Sequence, residues 1–226
     1  MKLLDHMPIR VTLDDVLKRL RMPRERSEIG RVGELIDAAQ GLINLRAIYD
    51  VSYIDHKNED VVQIGGVRFR SRVLRVNLDR VERVFPYIIT IGKALEEKAA
   101  SLDDIMEQYC LEVIGDVSLG AGRVYLEEHL QETYRPGQLS RMSPGSLEDW
   151  PITEQRQLFS LLPDAGGAIQ VTLTESLLMV PRKSISGIYF PTEVDFHSCQ
   201  LCPRANCVGR KAPYDPELEK RYARSG

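Results

Sequence analysis

Val84-Phe85-Pro86-Tyr87-Ile88-Ile89-Thr90-Ile91 reads as a strand, and Asp103 to about Gln131 reads as one long helix or a broken pair of helices. Aromatic and β-branched residues fill the first stretch, as a buried pleated strand requires. Pro86 has no amide donor, so it predicts an edge strand or a strand start. Gly92 punctuates the strand ahead of a helical segment, Lys93–Ala100. Along the long helix Met106, Tyr109, Cys110, Val113, Val117, Ala121 and Val124 keep one apolar stripe. Gly115, Ser118 and Gly122 form a second stripe of small residues. Glycine inside a helix costs about 1 kcal/mol against alanine. The small stripe therefore predicts close packing against a sheet or another helix, with close approach of a ligand as the other reading.

Outward from this pair the chain alternates between the two periods. Thr12-Leu13-Asp14-Asp15 predicts an N-cap and an acidic first turn, opening a helix to about Leu20 that Pro23 stops. Ser27 is placed to cap a second helix, along which Ile29, Val32, Ile36, Ala39 and Ile43 recur at helical spacing. Ala47–Ile54 turns β-like. Val61–Ile64, Gly65-Gly66 and Val67–Phe69 predict a hairpin with a glycine turn. Arg135–Pro151 is loop-rich. A short helix is expected at about Thr153–Leu161, and Asp164–Gly167 is expected to turn into a strand over Ile169–Leu173. Ile185–Phe190 is one more strand, and a charged tail, Pro216–Arg224, closes the sequence. The sum predicts an α+β fold, an antiparallel-leaning twisted sheet with helices around it. Residues 1–195 form the expected domain, and 196–226 a cysteine-rich segment packed on it.

Composition narrows the class. A net charge of -3 gives no general attraction to nucleic acid. No run reaches the roughly 18 apolar residues of a membrane span, and the N-terminus lacks the apolar core of a signal peptide. The expectation is a cytoplasmic protein with neither nucleic-acid nor membrane partners. No nucleophile elbow, paired-histidine zinc motif, phosphate loop or dinucleotide fingerprint is present, so hydrolase and nucleotide chemistry lack support.

The candidate metal site is His197-Ser198-Cys199-Gln200-Leu201-Cys202-Pro203-Arg204-Ala205-Asn206-Cys207. Three of the four cysteines lie there, at a spacing that lets their sulfurs converge. In a reducing compartment such a cluster favours metal or redox chemistry over disulfides. Three readings stand: an iron–sulfur cluster on Cys199, Cys202 and Cys207, structural zinc on the same thiolates, or redox-active thiols. His197 or Cys110 is available as a fourth ligand, as is a non-protein group; Cys110, on the apolar helical stripe, is better read as a buried core thiol.

Four segments carry a family resemblance. Arg141-Met142-Ser143-Pro144-Gly145-Ser146 resembles the R-P-A-P-G-Y segment of the activation (AdoMet-binding) domain of cobalamin-dependent methionine synthase. Thr153–Leu162 resembles its T-E-K-x-T-I-x-x-L-L, Leu173–Pro181 its L-T-E-S-F-A-M-x-P, and Ser184–Phe190 its S-V-S-G-W-Y-F. The segments keep their order and near-equal spacing. Upstream of about residue 130 the likeness is confined to helix and strand layout.

In that family the domain binds S-adenosylmethionine and docks over a cobalamin module. An external electron reduces cob(II)alamin, and the sulfonium methyl traps the cob(I)alamin. The resemblance implies a free-standing accessory or reductive activator of a corrinoid methyltransferase. Its partner would be a cobalamin-binding protein or a methionine synthase core, with cobalamin carried on that partner. An iron–sulfur centre in the cysteine block would suit the electron-transfer step. The alternative is a non-catalytic, zinc-stabilised module that docks on a corrinoid protein. By resemblance Arg141 meets the ligand carboxylate, Ser143, Pro144 and Gly145 line the ligand with backbone, and Glu112 or Asp116 supplies the acidic helix contact. Two departures stand out: Ser146 replaces the family tyrosine after the glycine, and His197 and Ser198 fall where the family has a tyrosine pair. An aromatic face over a cation contributes ~0.5–2 kcal/mol, which these positions forgo.

Overall fold

A computed structural model describes residues 1–23, 28–193, 196–207 and 210–223. In chain order the elements are β1 (Lys2–Leu4), α1 (Leu13–Leu20), α2 (Ile29–Gln40), β2 (Arg46–Tyr49), β3 (Ser52–Asn58), β4 (Val61–Ile64), β5 (Val67–Arg70), α3 (Arg72–Asn77), β6 (Arg83–Thr90), α4 (Ala94–Ala100) and α5 (Ile105–Tyr134). There follow β7 (Leu139–Met142), α6 (Gln155–Ser160), α7 (Ala165–Ile169), β8 (Thr172–Leu173), β9 (Met179–Val180), β10 (Ser184–Pro191) and α8 (Pro216–Ala223). The fold is α+β, as expected, and every strand pairing is antiparallel.

β6 is the central strand. It pairs with β2 and then β3 along one edge and with β10 along the other. β1 extends the sheet beyond β2, the β4–β5 hairpin beyond β3, and β7 beyond β10. Alternate residues of β6 enter opposite cores. Phe85, Tyr87 and Ile89 face a core shared with α1, α2, α4 and α5. Val84 and Ile88 face the other side, where Phe69, Leu74, Trp150, Leu158 and Ile169 close two further clusters. A strand buried on both faces needs no polar alternation, which accounts for the continuous apolar run.

Pro86 sits in the middle of this strand, against the expectation of an edge or a start. Asp50 N–H donates to the Pro86 carbonyl at 3.1 Å. The return bond is the one a proline cannot make, and the neighbouring chain breaks there between β2 and β3. The same break splits the expected Ala47–Ile54 strand in two. The hairpin is as expected, with Gly65 and Gly66 both at positive φ in its turn.

α1 is capped by Thr12, whose side chain accepts from Asp15 N, and it ends at Arg21 in the left-handed conformation, ahead of Pro23. The expected cap at Ser27 lies outside the described residues. Asp104 caps α5 through Met106 N at 2.7 Å. The expected apolar stripe of α5 is partly displaced. Met106, Tyr109 and Val124 are exposed, whereas the small stripe, with Leu111, Ile114, Leu126 and Leu130, is buried. A Cβ on Gly122 would stand 2.7 Å from Leu45 Cδ1, so close packing is the reason for that glycine. Two further expectations change. Ala165–Ile169 is helical and only Thr172–Leu173 is extended, while the stretch read as loop contains β7.

The C-terminal segment covers the second core. Phe196 and Leu201 are buried in it, and the Tyr222 hydroxyl donates to Asn77 Oδ1 at 2.8 Å. Among the described residues no helix is long and apolar enough to cross a membrane.

Gly122→Ala should gain helix propensity of about 1 kcal/mol yet lower stability overall by about 1–2 kcal/mol through overpacking. In a Leu45→Ala background the same substitution should become neutral or stabilising. Urea denaturation of the four proteins measures the coupling, and equal effects in both backgrounds would contradict the contact.

Candidate functional site

β7 is short and among the described residues pairs only with β10, with Arg141 opposite Tyr189 and Met142 opposite Ile188. Beyond it the chain turns sharply. Ser143 Oγ donates to the Ser186 carbonyl at 2.7 Å, Gly145 N–H donates to Trp150 O at 2.7 Å, and Ser146 Oγ donates back to Ser143 O at 2.6 Å. Gly145 takes φ +80°, which favours glycine at that turn. On β10 a Cβ at Gly187 would lie 2.5 Å from Met142 O and 2.6 Å from Ser143 Oγ. The glycine lets the loop start lie directly on β10. Gln155 Nε2 donates to Ser186 Oγ at 2.7 Å and ties α6 to the same point.

Arg141 meets Glu127 of α5, with Nη1 3.5 Å from Oε2. Arg123, one turn earlier on α5, lies close enough for its charge to bear on Arg141, Glu127, Tyr87 and Tyr189. Burial lowers the Arg123 pKa, and the neighbouring Arg141 charge lowers it further. The Tyr87 and Tyr189 rings lie beneath this group with centroids 4.8 Å apart. The Tyr189 hydroxyl donates to Arg123 O at 3.1 Å. Burial pushes both phenols up, so they stay neutral. Two guanidinium groups and one carboxylate over neutral aromatic rings suit a ligand that presents an anion and a cation side by side.

Glu112 and Asp116, the expected acidic contacts, are engaged elsewhere. Lys183 Nζ lies 2.8 Å from Glu112 Oε2 and 2.7 Å from Asp116 Oδ1, and Arg182 Nη2 reaches Glu112 Oε1 at 2.9 Å. Asp116 is about 16 Å down the helix axis from Glu127 at 1.5 Å rise per residue. Glu127 and Arg123 were not singled out in the sequence. Their only local signal is an i, i+4 pair of opposite charge beside Gly122.

In the cysteine block, His197 N–H donates to Gln200 Oε1 at 2.8 Å within a short 3₁₀ turn over Ser198–Leu201. Cys199 and Cys202 are half-buried, Cys207 is exposed, and all are free thiols. Cys199 Sγ accepts from Lys211 N–H at 3.4 Å. Cys202 and Arg204 face Gly145 and Ser146 across an open cleft of about 890 Å³. Among the described residues no three His, Cys, Asp or Glu side chains are grouped to hold a metal ion. Cys110 lies in the core on the α5 side of the sheet, whereas Cys202 packs on the opposite core.

Residues 123–205 match the family described as vitamin B12 dependent methionine synthase, activation domain. The solved structure described as "Crystal Structure of the MetH Reactivation Domain bound to AdoHcy" is similar in fold. The TM-score is 0.63 at 16% identity, over 87% of this chain and 80% of that one. No curated protein matches the chain. The matched stretch contains Arg123, Glu127, Arg141, the Ser143–Gly145 loop and β10.

Burial pushes the Glu112 carboxyl up, but the bonds and charges of Lys183 and Arg182 more than offset this and hold it below the ordinary 4.5. A carboxyl whose folded pKa is depressed contributes stability above its unfolded value and loses it as pH falls through the folded one. Glu112→Gln should therefore be less stable than the wild type at neutral pH and show a shallower loss in acid. Urea midpoints across that range measure this, and parallel curves would remove Glu112 from the acid response.

Proposed function

We propose, for a chain whose residues 123–205 are activation-domain-like, that Arg141 and the Ser143–Gly145 loop bind S-adenosylmethionine or S-adenosylhomocysteine. The protein then serves as accessory or reductive activator of a cobalamin-dependent methyltransferase. The observation that carries this reading is the Arg141–Glu127 pair, set beside the loop that Gly187 and Gly145 shape. An amino-acid headgroup is a zwitterion. Arg141 offers its carboxylate a planar fork of donors, and Glu127 accepts from its ammonium group or faces the sulfonium. Glu127 takes the part that the family resemblance first suggested for Glu112 or Asp116.

The partner is a corrinoid-binding protein or a methionine synthase core, which brings the cobalamin. Residues 1–195 and 196–226 act as one unit in this reading. It is supported by the burial of Phe196 and Leu201 in the second core. A cytoplasmic setting suits the free thiols.

The cysteine block has a separate part. Cys199, Cys202 and Cys207, with His197, are proposed as a thiolate metal site, an iron–sulfur cluster or alternatively zinc. Their side chains are not gathered around one point, so no step of the activation is routed through this site.

Isothermal titration of S-adenosylhomocysteine should give saturable binding, weakened at least about tenfold in Arg141→Ala, the scale of one charge-assisted contact. Unchanged affinity would remove Arg141 from the site. Metal and sulfide analysis of anaerobically purified protein should find iron with acid-labile sulfide, lost in a Cys199→Ala/Cys202→Ala variant. Zinc alone would favour the docking-module reading, and absence of both would end the metal assignment.

A further inference from the structure

Tyr189 stands at both ends of the Arg141–Glu127 pair. On β10 it is the cross-strand partner of Arg141, so the two side chains leave the sheet on the same face. At the far end of the ring its hydroxyl donates to the Arg123 carbonyl of α5 at 3.1 Å. In an α-helix a carbonyl accepts from the amide four residues on, so Arg123 O is also the helical acceptor for Glu127 N–H. A carbonyl has two lone pairs and can take both donors. One phenol therefore joins the strand neighbour of Arg141 to the helical turn that carries Glu127.

The ring is held in place. Tyr189 is fully buried and lies against Tyr87, with ring centroids 4.8 Å apart. Tyr87 is in turn opposite Gly187 across β6 and β10, and its hydroxyl would stand 3.0 Å from a Cβ there. Phenylalanine would fill the same apolar space, so the bond to α5 is what the Tyr189 hydroxyl adds. The pair it spans is wider than the Lys183 pairs on the same helix. Arg141 and Glu127 are 3.5 Å apart, against 2.7 and 2.8 Å from Lys183 to Asp116 and Glu112. Tyr49 offers a comparison in the same core. It too is buried and reaches α5, but through the His129 side chain, Nε2 lying 2.8 Å from its hydroxyl. Its hydroxyl therefore does not hold the helix backbone.

We propose that Tyr189 is a positioning residue: its hydroxyl, bonded to the Arg123 carbonyl, fixes the height of Glu127 over Arg141 and so the spacing at which an α-amino-acid headgroup is received. The ligand in this statement rests on the function proposed above, but the bracing of the ion pair does not. Arg141 and Glu127 sit on different elements, a short strand and a long helix. A bond to helix backbone sets where the Glu127 turn stands, whereas a contact between two long side chains leaves that free.

The test is the rate at which phenylglyoxal, an arginine-selective reagent, modifies Arg141 in the full chain without ligand, mapped by peptide mass spectrometry with Arg182 as internal reference. Glu127→Gln gives the rate for an unpaired Arg141. Tyr189→Phe should raise the rate at least about threefold, toward that of Glu127→Gln, while Tyr49→Phe leaves it at the wild-type value. Titration with S-adenosylhomocysteine should then show affinity weakened about threefold or more in Tyr189→Phe and unchanged in Tyr49→Phe, the scale of one neutral hydrogen bond. Separation of the Arg141 rates in a protein that does not bind S-adenosylhomocysteine supports the brace and counts against the S-adenosyl reading. Equal Arg141 rates in the wild type and Tyr189→Phe, or the same rise in Tyr49→Phe, overturn the proposal whether or not the ligand binds. A Glu127→Gln rate no higher than the wild type overturns it too, since there would be no pair to position, as does undiminished affinity in Tyr189→Phe.

Discussion

β6 has no face open to water, and most of the molecule follows from covering it. Its odd-numbered residues enter the core under α1, α2, α4 and α5, and Val84 and Ile88 enter those on the reverse. A sheet covered on both sides needs helices on both sides, and the long one must lie close. Gly122 lets α5 approach until Leu45 fills the space a Cβ would take, and Gly115 leaves room for Lys183 and Ile91. Each glycine costs helix stability of about 1 kcal/mol, offset by the apolar burial the close approach permits. The approach also fixes where the rest of α5 falls. One turn past Gly122 the helix reaches β10 and β7, and there Glu127 meets Arg141.

Fold class was legible because its strongest signals are local. The apolar run of β6, the Gly65-Gly66 turn and the length of α5 each identify an element without reference to a partner. The helix face was less legible for a physical reason. α5 carries apolar residues on more than one face, so a stripe including Met106 and Tyr109 competes with one running through small residues that contribute little hydrophobicity. Contact with the sheet decides between them, and the sequence alone does not contain that contact. Pro86 misled for a related reason. Its missing donor is harmless at an edge, but equally harmless where a neighbouring strand bends, as it does at Asp50.

The candidate site divided along the same line. Arg141 and the Ser143–Gly145 loop are legible as a continuous motif, whose turn and glycine positions follow from covalent geometry. Glu127, the carboxylate that pairs with Arg141, is not. Glu112, Asp116 and Glu127 are all carboxylates on one helix, and spacing cannot separate them. The separation comes from Lys183, which arrives from the loop before β10 and satisfies the first two. The path of the cysteine block was harder still, since it depends on Arg210 closing a loop through four carbonyls.

The two charge clusters on α5 therefore differ in kind. At Glu112 and Asp116 the charges are matched by Lys183 and Arg182, and the cluster joins α4, α5 and the β9–β10 connection. Matched pairs near the surface contribute little stability each, but they fix register between elements. At the other end Arg141 meets Glu127 at 3.5 Å, with Arg123 one turn earlier on the helix and its carbonyl bonded to the Tyr189 hydroxyl. Like charges held beside a single carboxylate cost electrostatic energy that matched pairs do not. The same helix thus carries a cluster matched on every carboxylate and a second in which one carboxylate stands beside two guanidinium groups.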